Sequence, residues 1–391
     1  MTDLEMRPAP PRTGAVRRAA PALVGYAAVR ALGLVALGLW SSARGTSPHT
    51  LLTARWDSLW YTRVAALGYG YEVRLPNGDV HSNLAFFPLL PWLERLGAAL
   101  TPLSYADAGL LVSTLASLAA AWGIFAVADH VYGHRIGVRT VLLWAVLPVG
   151  IVQSMAYSES LFTALAAWSL YAVLTGRWVT AGMLASLAGL TRPVGAAVVA
   201  AVWAAAIASY VSYVRDRRTA GPDGAPPVRP ALGMLLAPVG AAGYVLWVGH
   251  HTGKGPLGYL DVQAGWRNGF DGGYAFARFI ADKFTSFPSA LAGAALIVGV
   301  ALIVRLYVAC VRQGQPLPLL VYAGVVTALA LCASSYFGSK PRLLLPAFPL
   351  LLPLARALAG ARPSRSAAVL GGVAAASALY GAFWLNGSGP P

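Results

Sequence analysis

Asp57 lies among aromatic rings in Arg55-Trp56-Asp57-Ser58-Leu59-Trp60-Tyr61. Rings such as Trp56, Trp60 and Tyr61 can hold a helix at fixed depth and lower the local dielectric, which makes a carboxylate a better-placed base. As a plain interfacial acid it would instead cap a helix or pair with Arg55 or Arg63. A second acid, Glu159, follows Tyr157 and Ser158. It either complements the dipole of a first helical turn or contacts a substrate. Thr191-Arg192-Pro193 interrupts two apolar runs. An arginine fixed at a membrane boundary suits a lipid phosphate, although snorkelling alone would also place it there. Lys340 and Arg342 flank Pro341, and two cations on the outer side, against the usual topology bias, point to an anion. The pattern implies a transfer reaction. Cations neutralise a leaving phosphate while a carboxylate takes the proton of an attacking hydroxyl. Asp57 is the catalytic candidate. Arg55, Trp56, Trp60, Tyr157, Glu159, Arg192, Lys340 and Arg342 are the substrate-binding candidates.

These residues must be held by membrane helices. Of 391 residues 57% are hydrophobic and 11% charged, against about 25% charged in a soluble domain; the mean hydropathy is +0.62. Apolar runs approach the roughly 20 residues that cross a bilayer as helix, so the class is an all-α polytopic membrane protein. Spans are expected at 19–40, 107–128, 137–153, 158–175, 178–191, 194–213, 231–250, 287–309, 317–334, 343–358 and 367–385, about eleven in all. With the N-terminus in the cytoplasm, the inside loops carry Arg135, Arg139, Arg177, Arg215, Arg217, Arg218, Arg229, Arg312, Arg356, Arg362 and Arg365, as the positive-inside rule asks. Most acids, including Asp57, Glu72, Asp79, Glu94, Asp261, Asp271 and Asp282, then fall outside. A net charge of +15, scattered at the ends of apolar runs, is a topology signal beside anionic lipid rather than a nucleic-acid footprint.

Residues 1–18, rich in Pro and Arg, read as a disordered cytoplasmic tail; 19–385 form one integral-membrane domain, and 386–391 a short C-terminal tail. The first outer loop, 41–106, holds two non-spanning helices. One runs over 51–67 along the interface and ends at Gly68. The other opens at Asn83-Leu84-Ala85-Phe86-Phe87-Pro88-Leu89-Leu90-Pro91 and runs to about Leu100, its prolines suiting an N-terminus. His130 and His134 have i,i+4 spacing beside Asp129, but they fall on the inner side, away from the other candidates, and are not read as metal ligands. Gly68 and Gly70 follow no strand and form no phosphate loop. No nucleotide signature is present, which suits a lipid-linked donor at an outer face.

The Arg55–Tyr61 heptapeptide, Gly68-Tyr69, Leu84-Ala85-Phe86-Phe87-Pro88-Leu89-Leu90-Pro91, Tyr157-Ser158-Glu159-Ser160-Leu161-Phe162, Thr191-Arg192-Pro193-Val194-Gly195 and Lys340-Pro341-Arg342-Leu343-Leu344-Leu345-Pro346-Ala347-Phe348-Pro349 resemble motifs of the PIG-V family of mannosyltransferases. That family belongs to the C-type glycosyltransferase superfamily. The resemblance implies that superfamily's architecture, a polyprenyl-phosphate-mannose donor, Asp57 as the catalytic residue with Trp56 supporting it, and inversion from a β-linked phosphate to an α-mannoside. Expected partners are the lipid-linked donor, a glycolipid or glycan acceptor, and membrane lipid; a divalent metal is left open. The expected location is the plasma membrane with the site on its outer face. The competing reading is a transporter or flippase of a phosphate-bearing lipid, using the same cations.

Overall fold

The computed structural model describes residues 12–220, 228–334 and 336–387, and they are mostly helical. The helices are α1 (Arg12–Ala43), α2 (Pro48–Thr53), α3 (Asp57–Leu67), α4 (Leu89–Leu100), α5 (Tyr105–Tyr132), α6 (His134–Ala145), α7 (Glu159–Leu174), α8 (Trp178–Gly189) and α9 (Ala196–Ala220). After residues 221–227 come α10 (Val228–Leu236), α11 (Val239–His251), α12 (Gly258–Gly265), α13 (Tyr274–Asp282), α14 (Ser289–Arg312), α15 (Leu317–Cys332), α16 (Lys340–Leu343), α17 (Leu352–Gly360) and α18 (Pro363–Leu385). Among the described residues six helices are long and apolar enough to cross a membrane. They become seven if Phe337–Leu343 and Phe348–Gly360, bent by 76°, are one broken span. The chain is a multi-pass membrane protein. Helices stand at most of the eleven expected spans, but α7, α8 and α15 are shorter apolar helices of 10–17 residues, and 343–358 is broken between α16 and α17. The run read as 137–153 is α6 followed by a short 3-10 turn, Gly150–Ser154.

Two expectations are corrected. Helix α1 begins at Arg12, inside the stretch read as a disordered tail; residues 1–11, like 388–391 of the C-terminal tail, lie outside the described residues. The single helix expected over 51–67 is two, α2 and α3, with a break at Ala54–Trp56 where Trp56 takes φ 50. A non-glycine residue in that region marks local strain, and here it leaves Asp57 as the first residue of α3. A carboxylate at a helix N-terminus faces the positive end of the dipole.

The main core lies where α5 packs on α6 and α7, α7 on α8, and α9 on α15, with α1 and α18 packed together at its flank. Trp144 and Tyr157 are fully buried within it. A smaller core of Tyr61, Phe86, Leu90, Ala116 and Leu161 seats α3 and α4 on α5 and α7. Strands β1 (Glu72–Arg74) and β2 (Val80–Ser82) form an antiparallel hairpin between α3 and α4. Trp266 clamps it from the second outer interval, stacking on His81 at 4.0 Å and donating its indole N–H to Ser82 O at 3.0 Å. Strands β3 (Gly269–Phe270) and β4 (Ala333–Ser334) tie that interval to the chain entering α16.

Glu94 is not the surface acid the charge pattern implies. It is fully buried on α4 against α5, so close to Gly109 that a Cβ there would come within 2.5 Å of its carboxylate. Among the described residues neither of its oxygens has a hydrogen-bond partner, and burial pushes its carboxyl up to about 9. A raised folded-state value means the fold holds the proton. Stability is therefore full below the unfolded carboxyl's range and is lost as pH climbs toward 9. Glu94→Gln, which mimics the protonated acid, is expected to raise stability by about 3 kcal/mol at pH 7 and by nothing at pH 4. Thermal unfolding in detergent at both pH values measures the difference; an equal effect at both would refute the assignment.

Candidate active site

Four elements distant in sequence bring two acids and two arginines together. Arg342 Nη1 lies 2.9 Å from Asp57 Oδ2, and its Nε lies 3.2 Å from Glu159 Oε1. Arg192 Nη1 lies 2.5 Å from the same Glu159 oxygen. The order is Asp57–Arg342–Glu159–Arg192, alternating in sign. Burial is deepest at Glu159 and falls off to either side. Glu159 is 1% exposed and Arg342 9%, while Arg192 is 12% and Asp57 25% exposed. The cluster therefore opens to solvent at Asp57, with Glu159 as its closed floor.

Local folding explains each position. Glu159 opens α7 after the bent segment 155–158. That segment is fixed by Ala156 N–H donating to Leu52 O and Ser113 Oγ donating to Tyr157 O, both at 2.9 Å. Arg192 sits in extended backbone between α8 and a short 3-10 turn, Pro193–Gly195. The turn is tight because Gly195 and Gly189 are close-packed: a Cβ on Gly195 would lie 2.6 Å from Gly189 Cα. Leu89 N–H donates to Leu190 O at 3.0 Å, so this loop also carries the start of α4. Arg342 is held over the Tyr157 ring at 5.1 Å. Behind it, Trp144 Nε1 donates to Leu345 O and Tyr322 OH to Pro346 O, each at 3.0 Å.

A second link, unseen in sequence, ties the carboxylate helix to the cations. Tyr61, one turn after Asp57 on the same side of α3, shares a hydrogen bond of 2.7 Å with Ser158 Oγ. Arg192 Nη1 donates to the same hydroxyl at 3.1 Å. Burial raises the Tyr61 hydroxyl well above its ordinary value, so it stays neutral. The one available signal was spacing: Tyr61 is four residues from Asp57, and Ser158 adjoins Glu159.

Three residues expected to contact substrate do not enter the cluster. Lys340 turns away from the cluster. Its ammonium donates to Ala330 O at 2.7 Å and Ala333 O at 2.9 Å, and it lies 4.5 Å from the Phe276 ring centre. It caps the C-terminal carbonyls of α15, where a cation also complements the dipole. Arg55 points to the C-terminus, donating to Leu385 O at 2.8 Å and Gly387 O at 3.2 Å, with its guanidinium 4.1 Å over Trp56. Trp60 stacks on Phe86 at 5.5 Å and meets Trp266 edge-on at 4.9 Å. It braces α3 against the hairpin. Tyr157, Glu159, Arg192 and Arg342 lie in one linked cluster with Asp57, which Arg342 alone of these touches by an ion pair, and Trp56 precedes Asp57 in the strained turn. Among the described residues no three His, Cys, Asp or Glu side chains are grouped so as to hold a metal ion.

Such a cluster can receive an anion on its guanidinium groups and a proton on its exposed carboxylate. Residues 83–218 match the family model of dolichyl-phosphate-mannose-protein mannosyltransferase. That segment includes Glu159 and Arg192 and excludes Asp57 and Arg342. A comparison with curated proteins finds no match. Among solved structures the chain is similar to ArnT from Cupriavidus metallidurans bound to undecaprenyl phosphate, at 16% identity and TM-score 0.49. The alignment covers 92% of this chain and 62% of ArnT, so the chain spans less than two thirds of that protein's length. It is also similar to the archaeal oligosaccharyltransferase AglB from Archaeoglobus fulgidus, in complex with an inhibitory peptide and a dolichol-phosphate. There the identity is 12% and the TM-score 0.47, over 94% of this chain and 56% of AglB.

Proposed function

We infer that the chain is an inverting membrane glycosyltransferase that moves mannose from a polyprenyl-phosphate carrier to a hydroxyl acceptor. The observation that carries the reading is the ion-paired cluster itself. A partly exposed carboxylate heads a non-spanning helix, one arginine pairs with it directly, and a second is joined to the first through Glu159. The mannosyltransferase family match over 83–218 and the PIG-V-like motifs support it independently. In the reaction the acceptor oxygen attacks the sugar's anomeric carbon from the face opposite the phosphate. The bond from that carbon to the phosphate oxygen breaks as the new bond to the acceptor forms. The acceptor's proton passes to Asp57, and the electron pair stays on the polyprenyl phosphate, where Arg342 and Arg192 neutralise it.

The reading places one catalytic domain over 19–385, with about eleven membrane-embedded helical segments. It puts the N-terminus in the cytoplasm and Asp57 at the outer face of a plasma membrane. Arg18 pairing with Asp129 at 2.7 Å is in keeping with both lying on the inner side, at the end opposite the cluster.

The decisive assay uses purified protein in vesicles with a radiolabelled polyprenyl-phosphate-mannose donor and a membrane glycolipid extract. Label moving into a new glycolipid or glycan is the expected result. Label crossing the bilayer still attached to its carrier, with no new covalent product, would identify a transporter instead.

A further inference from the structure

Two arginines facing two carboxylates leave the cluster with no net charge, although the proposed donor and product are both anions. The members are not equally replaceable. Glu159 is enclosed and bound to both arginines. Arg342 is held from behind by Glu159 and lies over the Tyr157 ring. Asp57 has the most exposed side chain of the four and one ion pair, to Arg342 Nη1. It is also the first residue of its helix, after the strained Trp56. An anion entering from solvent meets Asp57 first and finds the Nη edge of Arg342 already occupied.

We propose that Asp57 and the donor phosphate compete for the same edge of Arg342, so that the resting site is closed by its own ion pair and the arriving phosphate both opens it and frees the base. This rests on the glycosyltransferase reading and adds an order of events to it. While paired, Asp57 Oδ2 is held 2.9 Å from Arg342 Nη1 and turned away from an acceptor hydroxyl. Displaced by phosphate, that oxygen loses its arginine partner and is free to accept a hydrogen bond from the acceptor hydroxyl. Proton abstraction is thereby confined to the state in which a sugar is in place. The donor is a phosphodiester with one negative charge. The product is a monoester carrying about −1.5 to −2 at neutral pH, so it holds Arg342 more strongly and inhibits by occupying the same edge.

The test is a binding cycle on the full chain in detergent, with farnesyl phosphate as a short polyprenyl phosphate and inorganic phosphate as the headgroup alone. Calorimetry gives the affinities. If the ion pair keeps the edge open only a tenth of the time, Asp57→Ala binds farnesyl phosphate about tenfold tighter than wild type. Losing a negative charge would raise anion affinity by its field alone, so the second arm separates the two causes. In an Arg342→Gln background the Asp57→Ala gain should vanish, because there is no arginine left to contest. Arg342→Lys serves where the Gln variant does not accumulate, and the gain should shrink there. A gain of the same size in both backgrounds, or no gain in the single variant, overturns the competition. Wild-type protein that binds no farnesyl phosphate, with every Arg342 variant behaving alike, would sink the glycosyltransferase reading instead. Inorganic phosphate following the same pattern more weakly is expected. Identical affinities for the two probes would make the site one for free phosphate and overturn the proposal.

Discussion

Asp57→Ala is expected to lower the rate of sugar transfer by about a thousandfold, the middle of the range for loss of a general base. The protein should still fold. Removing Asp57 leaves Arg342 paired to Glu159 at 3.2 Å and Arg192 to Glu159 at 2.5 Å, so no buried guanidinium is stranded. Glu159 cannot take over the base role, because it is 1% exposed and carries both arginines. Asp57→Asn is the sharper variant. It keeps the shape of the side chain at the head of α3 while removing its charge and its capacity to accept a proton, and it should be nearly as inactive. Initial rates in the vesicle assay, compared at equal amounts of protein with unchanged thermal unfolding, measure both. Near wild-type turnover in either variant would remove Asp57 from the chemistry. Asp57→Glu should recover little, since a methylene longer at a helix N-terminus drives the carboxylate out of line with Arg342.

What sequence could reveal here follows from how local each interaction is. Apolar runs closed by Gly, Pro or Arg located the long membrane helices but not the short α12, α13 and α16, because burial in lipid and backbone hydrogen bonding both act over contiguous residues. The end of α4 at Leu100 and the stop of α3 at Gly68 were legible for the same reason, whereas α4 starts at Leu89, after a separate 3-10 turn at Asn83–Ala85. Hydropathy did not reveal where a run breaks. The bend between Phe337–Leu343 and Phe348–Gly360 and the break before Asp57 depend on distant partners such as Leu345 O on Trp144 and Leu52 O on Ala156. The same limit explains the reading of Lys340 and Arg342 as one cationic pair. Two residues apart in a helical turn they point to nearly opposite sides, so one caps α15 while the other enters the cluster. Arg55 was misjudged likewise, since its acceptors, Leu385 O and Gly387 O, lie at the far end of the chain. Asp57, Glu159, Arg192 and Arg342 could be singled out individually, because each is a charge set in apolar or aromatic sequence. Their order in space could not.

Glu159→Ala should be the most destabilising single change in the cluster. Glu159 is the one acid shared by two guanidinium groups, both largely out of water. Removing it leaves Arg342 with Asp57 alone and Arg192 with the Ser158 hydroxyl, and sets two positive charges facing each other with no intervening counter-charge. Breaking a buried ion pair from one side costs about 3–5 kcal/mol, far above the fraction of a kcal/mol typical of exposed pairs. The expected result is a large fall in unfolding temperature and in the yield of folded protein. Glu159→Gln keeps the volume and offers a carbonyl to one arginine, so it should recover part of the loss. Arg192→Met in the Glu159→Gln background should recover more, because it removes the repulsion that the first change created. That compensating order is what an electrostatic role requires. If Glu159 acted only as a well-packed side chain at the start of α7, the Gln variant would be near wild type and Arg192→Met would add damage rather than relieve it. Thermal unfolding of the four proteins in one detergent distinguishes the two roles, and transfer rates need not be known to read the answer.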